Sequence, residues 1–195
     1  MGRDRQDAGF TLAEMLVVLG LLGIVLSAAY MFVYAARTSQ TQIDREATLA
    51  RSVSQPLLTM ERLIVQNAAI DQDQNVPTGN TLTILTDQNG DNVLEQHTFT
   101  AVQDASGQGY VNLLTYLVDS SGHRVGSPKQ DGHIAINNAN VREGIPLFLY
   151  YGADGDLITD PGARSFNTHI LVIQMRISFD GRSETHTDTI TFRNR

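Results

Sequence analysis

Gly9-Phe-Thr-Leu-Ala-Glu14-Met-Leu-Val-Val-Leu-Gly20-Leu-Leu-Gly-Ile-Val-Leu-Ser-Ala-Ala-Tyr30-Met-Phe-Val-Tyr-Ala-Ala36 is the stretch that decides how the rest of the chain is read. From Met15 to Ala36 it runs for 22 residues without a charge. About 20 apolar residues at roughly 1.5 Å rise each cross a hydrocarbon core about 30 Å thick, so this run has the length of a membrane-spanning helix. A secretory signal peptide has an apolar region of only about 7–15 residues and ends at a small-residue cleavage site. Here the run is longer and passes into more helical sequence. A buried helix of a soluble protein is the other alternative, and the flanks argue against it.

Upstream lies a short polar leader, Met1-Gly-Arg-Asp-Arg-Gln-Asp-Ala-Gly9. One carboxylate, Glu14, sits at the edge of the apolar run, where an ionisable group is costly and asks for a partner. Gly20 and Gly23, followed by Ser27 and Ala28, read as positions where another helix can approach closely. Beyond Arg37 the pattern turns amphipathic. Ile43, Ala47, Ala50, Val53, Leu57, Met60 and Ile64 recur at steps of three or four, with Asp44, Arg45, Arg51 and Arg62 between them. The membrane helix is therefore expected to continue into a soluble half that lays an apolar stripe on a head domain. Pro56 removes a backbone donor and is expected to kink or break the helix near Gln55. The helix end is expected between Asn67 and Asp71.

From Val76 onward short alternating runs separated by turn residues predict strands. They fall at Thr81–Thr86, Val93–Val102, Tyr110–Val118, His133–Ile136, Ile145–Tyr151, Leu171–Phe179 and Thr185–Arg193. The clearest is Leu171, Ile173, Met175, Ile177 and Phe179, which alternate with Val172, Gln174, Arg176 and Ser178 as a half-buried strand does. A long helix followed by antiparallel strands is an α+β arrangement. The boundaries are residues 1–9 as leader, 10–36 as the membrane-spanning helix, 37–70 as its amphipathic continuation, and 71–195 as a β-rich head.

The 195-residue chain carries a net charge of −7 and a single lysine, Lys129, among its 14 basic residues. Such a chain has no basic footprint for a phosphate backbone, so direct nucleic-acid binding is not expected. There are no cysteines, which excludes disulfides, thiolate catalysis and cysteine-ligated zinc.

The segment from Gly9 to about Ala36 resembles the N-terminus of type IV pilins and type II secretion pseudopilins, whose signature is G-F-T-L-x-E before an apolar helix. The resemblance implies a pilin-like fold, cleavage after Gly9 by a prepilin peptidase, and N-methylation of the amine of Phe10. It also implies that this amine pairs with Glu14 during assembly. The partners it implies are other pilin or pseudopilin subunits, an inner-membrane assembly platform, and membrane lipid before assembly. The implied location is the inner membrane, crossed once with the head outside the cytoplasm, and then the filament. Unlike many major pilins, this chain has no proline before Pro56, so no kink is expected within the span.

A looser resemblance covers the head. Leu58-Thr-Met-Glu-Arg-Leu-Ile-Val-Gln-Asn-Ala-Ala leads to Leu82-Thr-Ile-Leu, then Ile145-Pro-Leu-Phe-Leu-Tyr-Tyr-Gly-Ala-Asp-Gly and the terminal Thr189-Ile-Thr-Phe-Arg-Asn-Arg. This order is similar to the J-type pseudopilins of type II secretion and their PilW-like counterparts, the PulJ/PilW-like minor pilins. It implies a structural minor subunit that primes assembly or sits near the filament tip, in secretion, adhesion, motility or DNA uptake. The alternatives are a filament-associated adhesin or ligand-binding head, and a membrane-anchored sensor or enzyme.

Asp87, Asn89 and Asp91 have the one-three-five spacing of a calcium loop, with Glu95 further on. The glycine falls at the fourth position and the twelfth residue is Thr98, which excludes an EF-hand. A plain hairpin turn is the preferred reading over a looser calcium site, and Asp154, Asp156 and Asp160 are read the same way. His97, His123, His133, His169 and His186 show no metal-ligand spacing and read as surface residues of strands and loops. No phosphate loop, dinucleotide fingerprint or nucleophile elbow is present, so neither an enzyme nor a resident cofactor is expected.

Overall fold

The computed structural model describes residues 11–65, 69–71, 76–87 and 90–192. The chain divides into two compact units, Met1–Ala47 and Thr48–Arg195. One helix, α1 (Leu12–Val65), contributes to both.

In the first unit every described residue is exposed. The apolar window of α1 is long enough to cross a membrane, and none of it is buried within the protein. A helix that is apolar all round cannot be satisfied by water and asks for lipid or neighbouring helices. A Cβ added at Gly20 or Gly23 would meet nothing within 4 Å, so both positions lie open along the helix surface.

In the second unit α1 buries Leu49, Val53, Pro56, Leu57, Met60, Leu63 and Ile64. These positions form one stripe at helical spacing, and it differs from the expected stripe at its start. Ile43, Ala47 and Ala50 are exposed, because the buried face enters through Leu49 and adds Leu63. The helix does not break at Pro56. It runs on to Val65 with the proline ring buried among its apolar neighbours, so tertiary packing offsets the missing backbone donor. Helix α1 is described as far as Val65 and Ala69–Ile70 is already strand β1, so α1 does not reach Asp71, the far end of the expected range.

Two antiparallel meanders complete the head. The first has the order β1-β2-β3-β4-β5, formed by β1 with β2 (Thr81–Thr86), β3 (Glu95–Gln103), β4 (Gly109–Val118) and β5 (Arg124–Ile136). The second has the order β6-β7-β8, from β6 (Phe148–Tyr151), β7 (Ile170–Phe179) and β8 (Arg182–Thr191). The alternation read in β7 is real: Leu171, Ile173, Met175 and Ile177 are buried, and their neighbours are partly exposed. Strand β5 starts nine residues before the expected His133 (Arg124 against His133). Its first half is polar and exposed, contains Pro128, and pairs with β4 through two register shifts, so no apolar alternation marks it.

Two short helices were not expected. Helix α2 (Asn140–Glu143) stops at Gly144, whose φ is 67°. Helix α3 (Pro161–Asn167) begins after Asp160, whose side chain accepts the Gly162 N–H at 3.0 Å, with Pro161 at the first position. The α1 stripe and the inner faces of both sheets form one core, with Met60, Leu82, Phe99, Leu147 and Ile173 fully enclosed.

The sheets are joined around Asn138 and Asn140. Asn138 bridges to Ile177 and donates its N–H to Gly109 O at 3.0 Å. Asn140 is fully buried and its side chain makes four hydrogen bonds. Its Nδ2 donates to Ile145 O (3.2 Å) and Gln174 O (2.6 Å), and its Oδ1 accepts from Arg176 N and Asn138 Nδ2, both at 2.8 Å. Gly109 is needed at this seam, because a Cβ there would lie 1.8 Å from Asn138 O.

Candidate processing and assembly site

Gly9 and Phe10 lie outside the described residues, so the geometry of the site starts at Thr11. The Thr11 carbonyl accepts the Met15 N–H at 3.2 Å, which makes Thr11 the N-cap of α1. Its hydroxyl accepts the Glu14 N–H at 3.3 Å. In return Glu14 Oε2 accepts the Thr11 N–H at 2.9 Å and the Thr11 hydroxyl at 3.0 Å. This is a capping box: the first-turn N–H groups have no helical partners, and Thr-x-x-Glu satisfies two of them reciprocally. Residue reading singled out Glu14 as a charge in need of a partner and missed Thr11. The Thr11-x-x-Glu14 spacing carried that signal before an apolar run. All of the capping falls on Oε2, and Oε1 carries no hydrogen bond among the described residues.

Of the weak calcium candidates, Asn89 lies outside the described residues. Asp87 accepts the Gly90 N–H (2.8 Å) and the Asn92 N–H (3.0 Å), and Asp91 accepts the Val93 N–H (2.8 Å). Both carboxylates thus serve the turn that holds Asn92 at φ 62°. Asp154 accepts the Asp156 N–H at 3.1 Å in a similar turn. Among the described residues no three His, Asp or Glu side chains gather in a way that could hold a metal ion.

His97 departs from its expected place on the surface. It is 2% exposed, because Glu95 to Phe99 of β3 are buried on both faces of the sheet. A strand covered on both sides shows no polar-apolar alternation, so its buried polar residues look like surface ones in sequence. His97 Nδ1 lies 2.9 Å from Thr115 Oγ1, whereas Nε2 has no partner among the described residues. Burial pushes its pKa down to about 4.

Residues 4–30 match the family model of the prokaryotic N-terminal methylation motif. This motif is the mark of type IV pilin-like prepilins, and the long apolar helix α1 fits that class. No curated protein and no solved structure matches the chain.

Proposed function

We propose that this protein is a structural minor pilin or pseudopilin, cut by a prepilin peptidase after Gly9, N-methylated on Phe10, and assembled with other pilin-type subunits into a filament. The observation that carries this reading is the N-terminal methylation motif at the start of a helix whose apolar half is wholly exposed. Before assembly the apolar half of α1 sits in the inner membrane with the head outside the cytoplasm. In the filament it packs against the same half of neighbouring subunits.

The capping box gives Glu14 two separable duties. Oε2 holds the first turn of its own helix, and Oε1 is open to the amine of Phe10, on the same subunit or on a neighbour. Pairing the amine with the carboxylate neutralises two charges that would each be costly in a low-dielectric filament core.

Three variants test this reading by mass spectrometry and immunoblotting of sheared filaments. Wild-type protein should appear there without residues 1–9 and with one methyl group on Phe10. Gly9→Leu should accumulate uncut. Glu14→Gln keeps the capping geometry, since glutamine serves in a capping box, but removes the charge. It should be cut normally and be strongly depleted from filaments. Thr11→Val removes the cap and keeps the charge, and it should be incorporated better than Glu14→Gln. Normal incorporation of Glu14→Gln, or a wild-type chain that keeps its leader, would overturn the proposal.

A further inference from the structure

An open sheet edge invites pairing with another chain, and proteins blunt such edges with short strands, prolines, bulges or covering segments. Most edges of this head are treated in that way. Strand β1 has two residues. Strand β5 carries Pro128 and two register shifts. The outer side of β6 is bonded, since Gly79 O accepts the Phe148 N–H and Tyr150 O accepts the Ile158 N–H. Strand β8 is the exception. It pairs with β7 without a register shift, contains neither proline nor glycine, and among the described residues no strand pairs with its other side.

The turn at Asp180-Gly181 fixes which backbone groups of β8 are open. Two residues join Phe179 to Arg182, so that pair exchanges backbone bonds and the pattern alternates from there. The far side of β7 agrees, because the Gln174 N–H, Arg176 O and the Ser178 N–H all bond away from β8. Arg182, Glu184, His186 and Asp188 therefore bond β7, while Ser183, Thr185 and Thr187 turn N–H and C=O outward. Side chains alternate as well, so Arg182, Glu184, His186 and Asp188 share one face. Asp188 uses Oδ1 for the Thr189 N–H at 2.8 Å, and Arg182 is exposed; neither forms an ion pair with a described residue.

This order of charges is self-complementary. A second β8 laid antiparallel along the edge, with Thr185 opposite Thr185, sets Arg182 against Asp188 and Glu184 against His186, each twice. The bonded pairs are then Thr185 with Thr185 and Ser183 with Thr187, the residues whose backbone is open. Sliding by two residues, the smallest step that keeps these bonds, puts Glu184 opposite Asp188 in one direction and Glu184 opposite Glu184 in the other. Like charges directly opposed are destabilising, so one register is favoured.

We propose that β8 is a self-recognition edge, through which two copies of this chain pair antiparallel about Thr185 and merge their second sheets. The contact is two-fold symmetric and closes on itself. The paired stretch is short, so the contact is weak between free chains and gains where both copies are anchored in one membrane. It needs neither cleavage after Gly9 nor the charge of Glu14, so it stands or fails separately from the proposed function.

The chain has no cysteine, so single substitutions report position. The purified full chain is placed in lipid vesicles and mildly oxidised, and covalent dimer is read on non-reducing gels. Thr185→Cys brings two thiols together on opposed Cα atoms about 5.5 Å apart, within reach of a disulfide. Thr187→Cys and Thr189→Cys are also exposed on the same face, but each lies roughly 13 Å or more from its own copy. Thr185→Cys should cross-link about tenfold faster than either. A mixture of Ser183→Cys and Thr187→Cys should cross-link where neither does alone, which tests the register without altering Thr185. Asp188→Arg faces Arg182 with a like charge and should slow Thr185→Cys to the rate of Thr187→Cys; adding Arg182→Asp should restore it. Equal rates at 185, 187 and 189 overturn the proposal, as does a charge swap that changes nothing or fails to restore. So does the absence of dimer from the purified chain, the result for an edge that serves a different subunit.

Discussion

Lowering the pH from about 7 to about 5 should destabilise the head through one side chain, His97. Its folded pKa is about 4, against 6.5 for an unstrained histidine, because burial disfavours the imidazolium. Arg62 from α1, Glu95 from β3 and Lys129 from β5 lie with His97 around one cleft of the head, where the cations add no attraction for an imidazolium and Glu95 is already faced by Lys129. The sign follows from linkage. Where the folded pKa lies below the unfolded one, the unfolded chain takes up the proton first. The stability is therefore intact above pH 6.5 and is lost as the pH falls towards 4. Each unit of pKa difference is worth about 1.4 kcal/mol, so the loss is about 2 kcal/mol at pH 5 and approaches about 3 kcal/mol below pH 4. Urea unfolding of the full chain in micelles, followed by near-ultraviolet circular dichroism of its tyrosines, measures this directly. His97→Gln does not titrate, and it should lose about 2 kcal/mol less than wild type over the same pH step. The carboxylates held low by their partners, Asp104, Asp119 and Glu143, are common to both proteins and cancel in the comparison. Equal losses in the two proteins would refute the reasoning.

The seam between the sheets supplies two further predictions. Asn140→Ala strands buried backbone groups of Ile145, Gln174 and Arg176 and should cost about 2–3 kcal/mol in the same unfolding assay. Gly109→Ala places a methyl group where Asn138 O now lies, so backbone must move. The expected loss is about 2 kcal/mol, with amide chemical-shift changes concentrated at residues 109 and 138.

The parts of the fold legible in the sequence were those where one physical pattern repeats. The uncharged run from Met15 to Ala36 announced the apolar helix, and the two-residue period of Leu171 to Ile177 announced β7. Legibility failed where that pattern was absent or overridden. Pro56 reads locally as a helix breaker, but a buried stripe on both sides of it holds α1 together. The first half of β5 is polar because it is an exposed edge. His97 and Gln96 are polar residues inside a doubly covered strand, and nothing in the local sequence distinguishes them from surface residues. At the start of α1 the lone carboxylate of Glu14 was legible, and so in principle was its cap. Thr11 was passed over because its duty is to the backbone, not to any charge.

The Asn140 knot also bears on the order in which the head becomes committed to its fold. Each meander joins strands that are neighbours in sequence, so both have mostly short-range pairings and can form early. Asn140 is different: it lies 34 residues before Gln174 and 36 before Arg176, and two of the four hydrogen bonds of its buried amide form only when β7 arrives. A head folding from α1 onward would thus hold a formed first sheet with a half-satisfied asparagine at its end, waiting for the C-terminal third. The amide of Arg176, which donates to Asn140 Oδ1, should then gain protection from hydrogen exchange later than the amides of β3 and β4. The commitment step would be set by a single side chain rather than by the bulk of the core.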